Sequence, residues 1–337
     1  MPDSELPVSI SRTAAPPEVV LCGEAMLLLV AQPGVPLERA VAFRRSVAGA
    51  ESNVAIALAR LGHRARWLSR LGADSAGRAV LAQIRGEGVD VSYVTTDVHT
   101  PTGLLLRDSH ACHPLDVQYY RAGSAACRLA PESLTPDMVA GAQFVHVTGI
   151  TAMLSDTALA ATERLVELAW DVGAQVSFDP NVRLKLAAAE HWRRIAGPLM
   201  RRADLVLAGE DELDLFADGS GGGYQRLVDE LLAGGVGAVV VKHRDKSASY
   251  FTAAGVWGPH PPLQVPITDP VGAGDAFAAG FLSALLRKAP PEQALEEASA
   301  VAALTIQCVT DTDGLPSRAV LDRALAAYTQ GRDTVAR

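Results

Sequence analysis

The feature that most constrains the fold is an alternation of short apolar runs with longer segments of helical periodicity. The runs are predominantly apolar, which is typical of strands buried on both faces of a mostly parallel sheet. Strands separated by helices predict an α/β fold with helices covering both sides of that sheet. The predicted strands are residues 19–22, 68–71, 144–148, 176–179, 204–208 and 238–242.

Three segments predict helices between these strands. In residues 51–61 the apolar side chains recur at i, i+4 and i+7, and Gly62 provides the stop. Residues 157–172 and 276–286 show a similar apolar face.

Two stretches, residues 26–47 and 101–122, break the alternation because their strand-like runs have no helices between them. Such strands cannot join a parallel sheet through helical crossovers. We expect them to form a small antiparallel lid over one end of the main sheet, where ligands of open α/β folds bind. The predicted lid strands are residues 26–30, 40–43, 103–106 and 117–120.

Length and composition bound the remaining possibilities. The chain has 337 residues, of which 49% are hydrophobic, and this favours one large domain over residues 18–330 behind a disordered lead at 1–17. A net charge of −8 argues against a nucleic-acid or anionic membrane surface.

The cysteines and the apolar runs predict the compartment. Cys22, Cys112, Cys127 and Cys308 form no Cys-x-x-Cys pair, which favours a reducing cytoplasm over a disulfide framework. Residues 1–17 lack a signal peptide's apolar core, and no run approaches the ~18 apolar residues of a membrane span. We therefore expect a cytoplasmic protein.

The segment that carries the chemistry reads Asp269-Pro-Val-Gly-Ala-Gly-Asp-Ala-Phe277 and opens a predicted helix. Backbone amides from 271 to 274, at a helix N-terminus, would bind an anion such as a phosphate. A carboxylate at Asp275 would repel that phosphate unless it accepts a proton from the attacking nucleophile, as a general base does. Alternatively, Asp275 caps the helix and the glycines form a turn. Neither a Walker loop nor a Gly-x-Gly-x-x-Gly turn is present.

This segment resembles the C-terminal signature of the PfkB (ribokinase-like) sugar kinases. Residues 48–62 (AGAESNVAIALARLG) and their continuation through 71–77 resemble the N-terminal signature, and the resemblance spans about 18–328. It implies a three-layer, Rossmann-like α/β/α core with a β lid that commonly serves for dimerisation. It also implies ATP, Mg²⁺ and transfer of the γ-phosphate to a sugar hydroxyl, and leaves a monovalent cation open. Asp275 matches the family's base, and its anion hole is matched by Gly272, Ala273 and Gly274.

Residues 118–126 (QYYRAGSAA) resemble the corresponding segment of the 2-keto-3-deoxygluconate kinases, as does the Gly-Glu pair at 23–24. A sugar acid carries a carboxylate, for which arginine offers a planar charged fork. Tyr119 and its neighbour Tyr120 alternate on a strand, so one of them should face the core. Leu105 stands where related enzymes often have tyrosine. The substrate contacts implied by the resemblance are Gly49, Asn53, Tyr119, Arg121, Arg183 and Asp275 itself.

The nucleotide side departs from the family pattern. Gly209 replaces the asparagine of the Asn-x-x-Glu motif, whereas Glu212 is retained and could orient a water on Mg²⁺. The loop that should contact the nucleotide through Lys242, Arg244 and Ser247 lacks the two glycines often seen at 244 and 247. The unfamiliar insert at 108–116 has metal-like residue types at 110–113, although a lid loop is the simpler interpretation.

The sequence thus predicts an ATP-dependent kinase that converts 2-dehydro-3-deoxy-D-gluconate to its 6-phosphate. A fructokinase or another neutral-sugar kinase of the same family is the alternative. A non-catalytic sugar or nucleotide sensor on the same fold is a third hypothesis, motivated by the altered residues Arg244 and Ser247.

Overall fold

The computed structural model describes residues 15–108, 116–217 and 222–329. Most of the predicted disordered lead (1–14), most of the insert after the third lid strand (109–115, including the metal-like types at 110–113) and the loop at 218–221 lie outside the described residues. Within those ranges no helix combines the length and the apolar character needed to cross a membrane.

The elements follow in chain order. The strands are β1 Val19–Cys22, β2 Met26–Ala31, β3 Phe43–Ala48, β4 Ala65–Leu68, β5 Arg70–Gly72, β6 Thr95–Asp97, β7 Leu104–Arg107, β8 Val117–Tyr120, β9 Phe144–Thr148, β10 Gln175–Asp179, β11 Leu205–Gly209, β12 Ala238–Lys242, β13 Ala248–Thr252 and β14 Gly255–His260. The helices are α1 Ala50–Arg60, α2 Ser75–Gly86, α3 Gly149–Ala152, α4 Asp156–Asp171, α5 Ala189–Arg201, α6 Glu210–Phe216, α7 Gly223–Ala233, α8 Ala273–Leu286, α9 Pro291–Thr305 and α10 Arg318–Thr329.

The main sheet has eight strands in the order β14-β13-β12-β11-β10-β9-β1-β4. Strands β12 through β4 pair in parallel, whereas β13 and β14 are antiparallel. Alternate residues of β1 enter different cores: Val19 and Leu21 pack with α1, α8 and α9, whereas Val20 and Cys22 pack with α4, α5 and α7. Helices therefore cover both faces, as the sequence predicts.

One strand prediction in this region is wrong. Instead of a single strand at 68–71, the chain forms β4 and then β5, which leaves the main sheet and pairs with β6. Buried Ser69 lies at the break, where its hydroxyl donates to the carbonyl of Gly23 over 2.7 Å. The polar residues Ser69 and Arg70 interrupt the run, and Ser69 bonds to a neighbouring loop.

The lid is a separate four-stranded sheet in the order β3-β2-β7-β8. Its outer pairs are antiparallel, but β2 and β7 are parallel, so the prediction of a wholly antiparallel lid is wrong. The chain passes through α1 and α2 between these two strands, and a connection of that length allows a parallel return. The predicted strand at 40–43 is also wrong, because β3 begins at Phe43 and continues to Ala48, paired with β2.

Candidate active site

A cavity of about 360 Å³ lies between the lid and the carboxyl ends of the main-sheet strands. Its lid wall carries Leu105, Arg107, Tyr119 and Arg121. Its floor includes Glu51, Asn53 and residues 270–275. Residues 270–274 are here called the glycine loop, and Asp275 follows them. The first cavity therefore joins the two signature segments that are far apart in the sequence.

Asp275 lies in the first turn of α8 and is buried. Its carboxylate accepts hydrogen bonds from the side-chain amides of Asn53 (2.9 Å) and Asn181 (3.1 Å). Burial raises the pKa of Asp275 to about 6, although the Asn53 hydrogen bond and the positive charge of Arg183 oppose the shift. Near neutral pH the group is therefore a carboxylate that is ready to accept a proton.

The glycine loop has a backbone that only glycine adopts readily. Gly272 caps α8 with a φ of +84°, and a Cβ there would lie 2.9 Å from the Asp311 carbonyl oxygen. The Val271 amide donates to Asp269 Oδ1 (3.0 Å), so it is occupied by the protein's own carboxylate and not available to a phosphate, contrary to the expectation that the amides from 271 onward bind one. The predicted anion hole is thus confined to Gly272, Ala273 and Gly274.

A second cavity, of about 540 Å³, lies on the other side of the glycine loop. Both cavities are lined by Pro270, Ala273 and Gly274. The second cavity has a cationic rim and an apolar wall. The rim carries Lys242, Arg244 and Lys246, and the wall includes Leu263, Ile267, Phe277, Ala302 and Ile306. A flat apolar group joined to phosphates would match this combination.

The predicted nucleotide residues have different surroundings within that cavity. Lys242 Nζ lies 2.9 Å from Asp179 Oδ2. Burial lowers the pKa of Lys242, but the carboxylates of Asp179 and Glu212 outweigh it, so the net pKa is raised and the ammonium stays charged. Arg244 is exposed and forms ion pairs with Glu210 and Asp214.

The third predicted nucleotide residue, Ser247, is buried. Its amide and its hydroxyl both donate to Asp245 Oδ1, over 2.9 and 2.6 Å. This contact folds the loop after β12 into a tight turn, so Ser247 shapes the rim of the second cavity.

Glu212 ties two loops together at the carboxyl end of the sheet. Its Oε2 accepts from the Gly209 amide (2.7 Å) and its Oε1 from the Val182 amide (2.6 Å). Burial, and then the charge of Asp179, raise the pKa of this carboxyl. Nowhere in 15–108, 116–217 and 222–329 do three His, Cys, Asp or Glu side chains form a group that could hold a metal.

On the lid, the two tyrosines of β8 are 39% (Tyr119) and 58% (Tyr120) exposed, so the prediction that one would face the core is wrong. The reason is that β8 is the edge strand of the lid. Tyr119 nevertheless lines the first cavity, and the Arg121 guanidinium lies 5.7 Å from its ring centre.

Arg121 is also paired with an acid. Its Nη2 lies 2.5 Å from Oε2 of buried Glu24. Burial raises the pKa of Glu24, and the nearby Arg121 and Ser124 oppose this shift. Because Glu24 offsets the charge of Arg121, this arginine is less free to bind a second carboxylate than the sequence indicates.

The remaining predicted contacts also line the first cavity. Arg183 is exposed there, and its Nη1 donates to the Val182 carbonyl (3.0 Å). Gly49 is packed so closely that a Cβ would lie 2.2 Å from the Glu24 carbonyl oxygen. Leu105 is buried and presents an apolar side chain to the cavity.

The sequence analysis missed several polar residues of this site. Glu51 is buried, accepts hydrogen bonds from Thr148 and Thr151 (both 2.7 Å), and has a pKa raised to about 7 by burial. Asn181 orients Asp275 from a left-handed backbone with a φ of 47°. Glu51 stands inside the signature at 48–62, and Asn181 lies two residues before the predicted contact Arg183, so a polar residue within or beside a predicted site segment was the available signal.

Comparison with known proteins agrees with this geometry. Residues 17–318 match the pfkB family carbohydrate kinases. The chain is 35% identical to the 2-dehydro-3-deoxygluconokinase of Bacillus subtilis over 316 residues, covering 92% of this chain and 96% of that protein. It is 33% identical to the enzyme of the same name from Thermoproteus tenax, covering 92% and 94%.

Among solved structures, a PfkB protein from Polaromonas sp. JS666 superposes with a TM-score of 0.80 at 38% identity, covering 91% of this chain and 99% of that one. Fold, site and sequence therefore agree, and the chain belongs to the pfkB family of carbohydrate kinases, phosphotransferases with an alcohol group as acceptor.

Proposed function

We propose that this protein transfers the γ-phosphate of ATP to the 6-hydroxyl of 2-dehydro-3-deoxy-D-gluconate. The observation that carries the proposal is the position of Asp275 and the glycine loop between two cavities, one with arginines and one with a cationic rim and an apolar wall. The relatives named 2-dehydro-3-deoxygluconokinase, which align over almost their whole length, support the choice of substrate.

In the proposed reaction the sugar acid occupies the first cavity and ATP the second. Asp275 accepts the proton of the attacking hydroxyl as its oxygen bonds to the γ-phosphorus, and the bond from that phosphorus to the β,γ-bridging oxygen breaks to release ADP. Amides of the glycine loop stabilise the charge on the transferred phosphoryl group, supported by the helix dipole of α8. The lid excludes water that would otherwise hydrolyse ATP.

We include Mg²⁺ in this proposal, bound chiefly through water and the phosphates. The site suits such a mode, since buried Asp179 and half-buried Glu212 are carboxylates close to Lys242, which lines the second cavity. Through water they would orient the ion, which neutralises phosphate charge when bound.

Recognition of the sugar acid is assigned to Arg183 first. Among the residues that the structure describes, Arg183 takes part in no ion pair, whereas Arg121 is paired with Glu24. The Arg183 guanidinium can therefore bind the substrate carboxylate with two parallel hydrogen bonds. Arg121 and Tyr119 then line the remaining lid side of the sugar.

The test is ATP-dependent turnover on 2-dehydro-3-deoxygluconate, its galactonate epimer and fructose. We expect the highest kcat/KM on one of the two sugar acids. Arg183→Met should lower that kcat/KM by about 100-fold, the cost of losing a charge-assisted pair, but change the value for fructose far less. Repeating the assay in potassium and in sodium tests the monovalent-cation requirement.

A kinase of a neutral sugar such as fructose is the second candidate. Two observations favour it: Glu24 offsets the charge of Arg121, and Leu105 presents a methyl-rich wall. A higher kcat/KM on fructose than on either acid would select this candidate and overturn the first.

We also propose a dimer formed through the lid, in the cytoplasm. The outer face of the lid is largely apolar, with partly exposed Leu29, Leu104 and Leu106 next to exposed Tyr120, although Arg45 and Gln118 lie on the same face. Free thiols at Cys22, Cys127 and Cys308 support a reducing compartment.

A further inference from the structure

Arg107, the last residue of lid strand β7, is buried with only 1% of its surface exposed. Burying a guanidinium is unfavourable unless acceptors surround it, so its partners show what the chain gains from this placement. None of these partners belongs to the lid.

The guanidinium of Arg107 binds two carboxylates, which belong to segments outside the main sheet. Its Nη2 lies 2.8 Å from Asp269 Oδ2 and 3.5 Å from Asp311 Oδ1, and its Nη1 donates to Asp269 Oδ1 over 3.2 Å. Nη2 also donates to the Val309 carbonyl (3.1 Å). One lid side chain thus bridges the segments on either side of α8 and α9.

Both carboxylate residues contact the glycine loop directly. Asp269 Oδ1 accepts from the Val271 amide, and the Asp311 backbone packs against Gly272 so closely that a Cβ would lie 2.9 Å from its carbonyl oxygen. Burial raises the pKa of Asp269 and of Asp311, and the positive charge of Arg107 opposes the shift in both.

The same lid strand also borders the proposed sugar site. Leu105, two residues before Arg107, pairs with Tyr119 of β8, and all three side chains line the first cavity. A displacement of the lid therefore moves the sugar-facing side chains and the Arg107 guanidinium together.

We propose that Arg107 is a positioning residue that couples the seating of the lid to the geometry of the glycine loop. With the lid in place, Arg107 holds Asp269 and Asp311, which contact Val271 and Gly272. Arg107 thereby fixes the start of the glycine loop, whose following amides stabilise the transferred phosphoryl group. Without it the loop loses its fixed position while the sugar contacts of Tyr119 and Asp275 remain. The proposal rests on the phosphoryl transfer proposed above.

The test compares Arg107→Met and Arg107→Lys with the wild-type protein on the best sugar of the panel. We expect Arg107→Met to lower kcat by about 100-fold, as a displacement of about 1 Å can do, with the sugar Kd within about threefold. Lysine keeps the charge but not the fork that spans two carboxylates, so Arg107→Lys should recover kcat in part. Adding guanidinium ion should rescue an Arg107→Ala variant, and equal sodium should not.

Arg44→Met is the matched control. Arg44 also lies on a lid strand, β3, and its Nη2 pairs with Asp313 of the same loop over 2.7 Å, but its side chain is 62% exposed. Exposed pairs contribute little, so Arg44→Met should keep wild-type kcat.

The outcomes separate the two proposals. A wild-type protein that phosphorylates no sugar in the panel contradicts the proposed function. If the wild type is active and folded Arg107→Met keeps its kcat, the coupling is overturned. If Arg107→Met does not fold, an unchanged kcat in Arg107→Lys overturns it instead. A parallel fall in thermal stability and sugar affinity with kcat preserved would assign Arg107 a structural role only.

Discussion

At the scale of single residues, Asp275 sets the pH dependence of the proposed reaction. Its pKa is raised to about 6, and only its ionised form accepts a proton. We therefore predict that kcat/KM falls as pH decreases through about 6, approaching a tenfold loss per pH unit. Initial rates between pH 5 and 8, with the coupling enzymes in excess, measure this limb.

Two variants control this prediction. Asp275→Asn cannot accept the proton, so we expect kcat to drop by about 10²- to 10⁴-fold and the acid limb to disappear. Burial raises the pKa of Glu51 to about 7, so this group is mostly protonated at the pH of the limb, and Glu51→Gln should leave the limb near pH 6. A wild-type profile that stays flat down to pH 5 would contradict the assignment of Asp275 as the base.

The residues that the sequence analysis identified differ from those that it missed in how far along the chain their partners lie. Asp275 stands beside its own glycine loop, so a local pattern suffices to find it. The pairs of Arg121 with Glu24 and of Arg107 with Asp269 join positions that only the tertiary fold brings together. A sequence shows that an arginine is present, but whether its charge is free depends on such a partner.

At the scale of elements, the N-terminus of α8 depends on one left-handed residue. In Gly272→Ala the positive φ is strained and the new Cβ meets the Asp311 backbone at 2.9 Å. We predict a loss of about 1–3 kcal/mol in the free energy of unfolding. Urea denaturation followed by circular dichroism measures it.

The neighbouring glycine provides the comparison. Gly274 has a helical backbone inside α8, and a Cβ there would find its closest atom, Lys242 Nζ, at 3.8 Å. Gly274→Ala should therefore unfold at the same or a higher urea concentration than the wild type, because alanine favours a helix. Equal destabilisation of both variants would show that the strain at Gly272 is unimportant.

Elements buried on both faces were predictable, and those at the margins were not. The bounds of β1, β9 and β12 agree with the prediction because each is a mainly apolar run that has a neighbouring strand on both sides in the main sheet. In β3, exposed Phe43, Arg44 and Arg45 give no apolar run, and the strand exists because its backbone pairs with β2. Backbone pairing without a buried side-chain pattern leaves no signal in the sequence.

At the scale of the whole molecule, the lid has two apolar faces but only one lies over the chain's own site. Met26, Leu28 and Leu105 are buried on the inner face. Leu29, Leu104 and Leu106 on the outer face stay partly exposed, with Tyr120 beside them. An apolar sheet face in water favours association, which is the physical basis of the proposed dimer.

We predict that the protein sediments as a dimer at micromolar concentration and that Tyr120→Asp shifts it toward the monomer. A charge buried within an apolar interface is unfavourable because it must be desolvated without a partner. Val256→Asp is the matched control, since Val256 is 60% exposed against 58% for Tyr120 but lies on β14, outside the lid. It should leave the dimer intact. Because β8 also carries Tyr119, dissociation should raise the sugar KM more than it lowers kcat. A wild-type protein that sediments as a monomer would contradict the proposed interface.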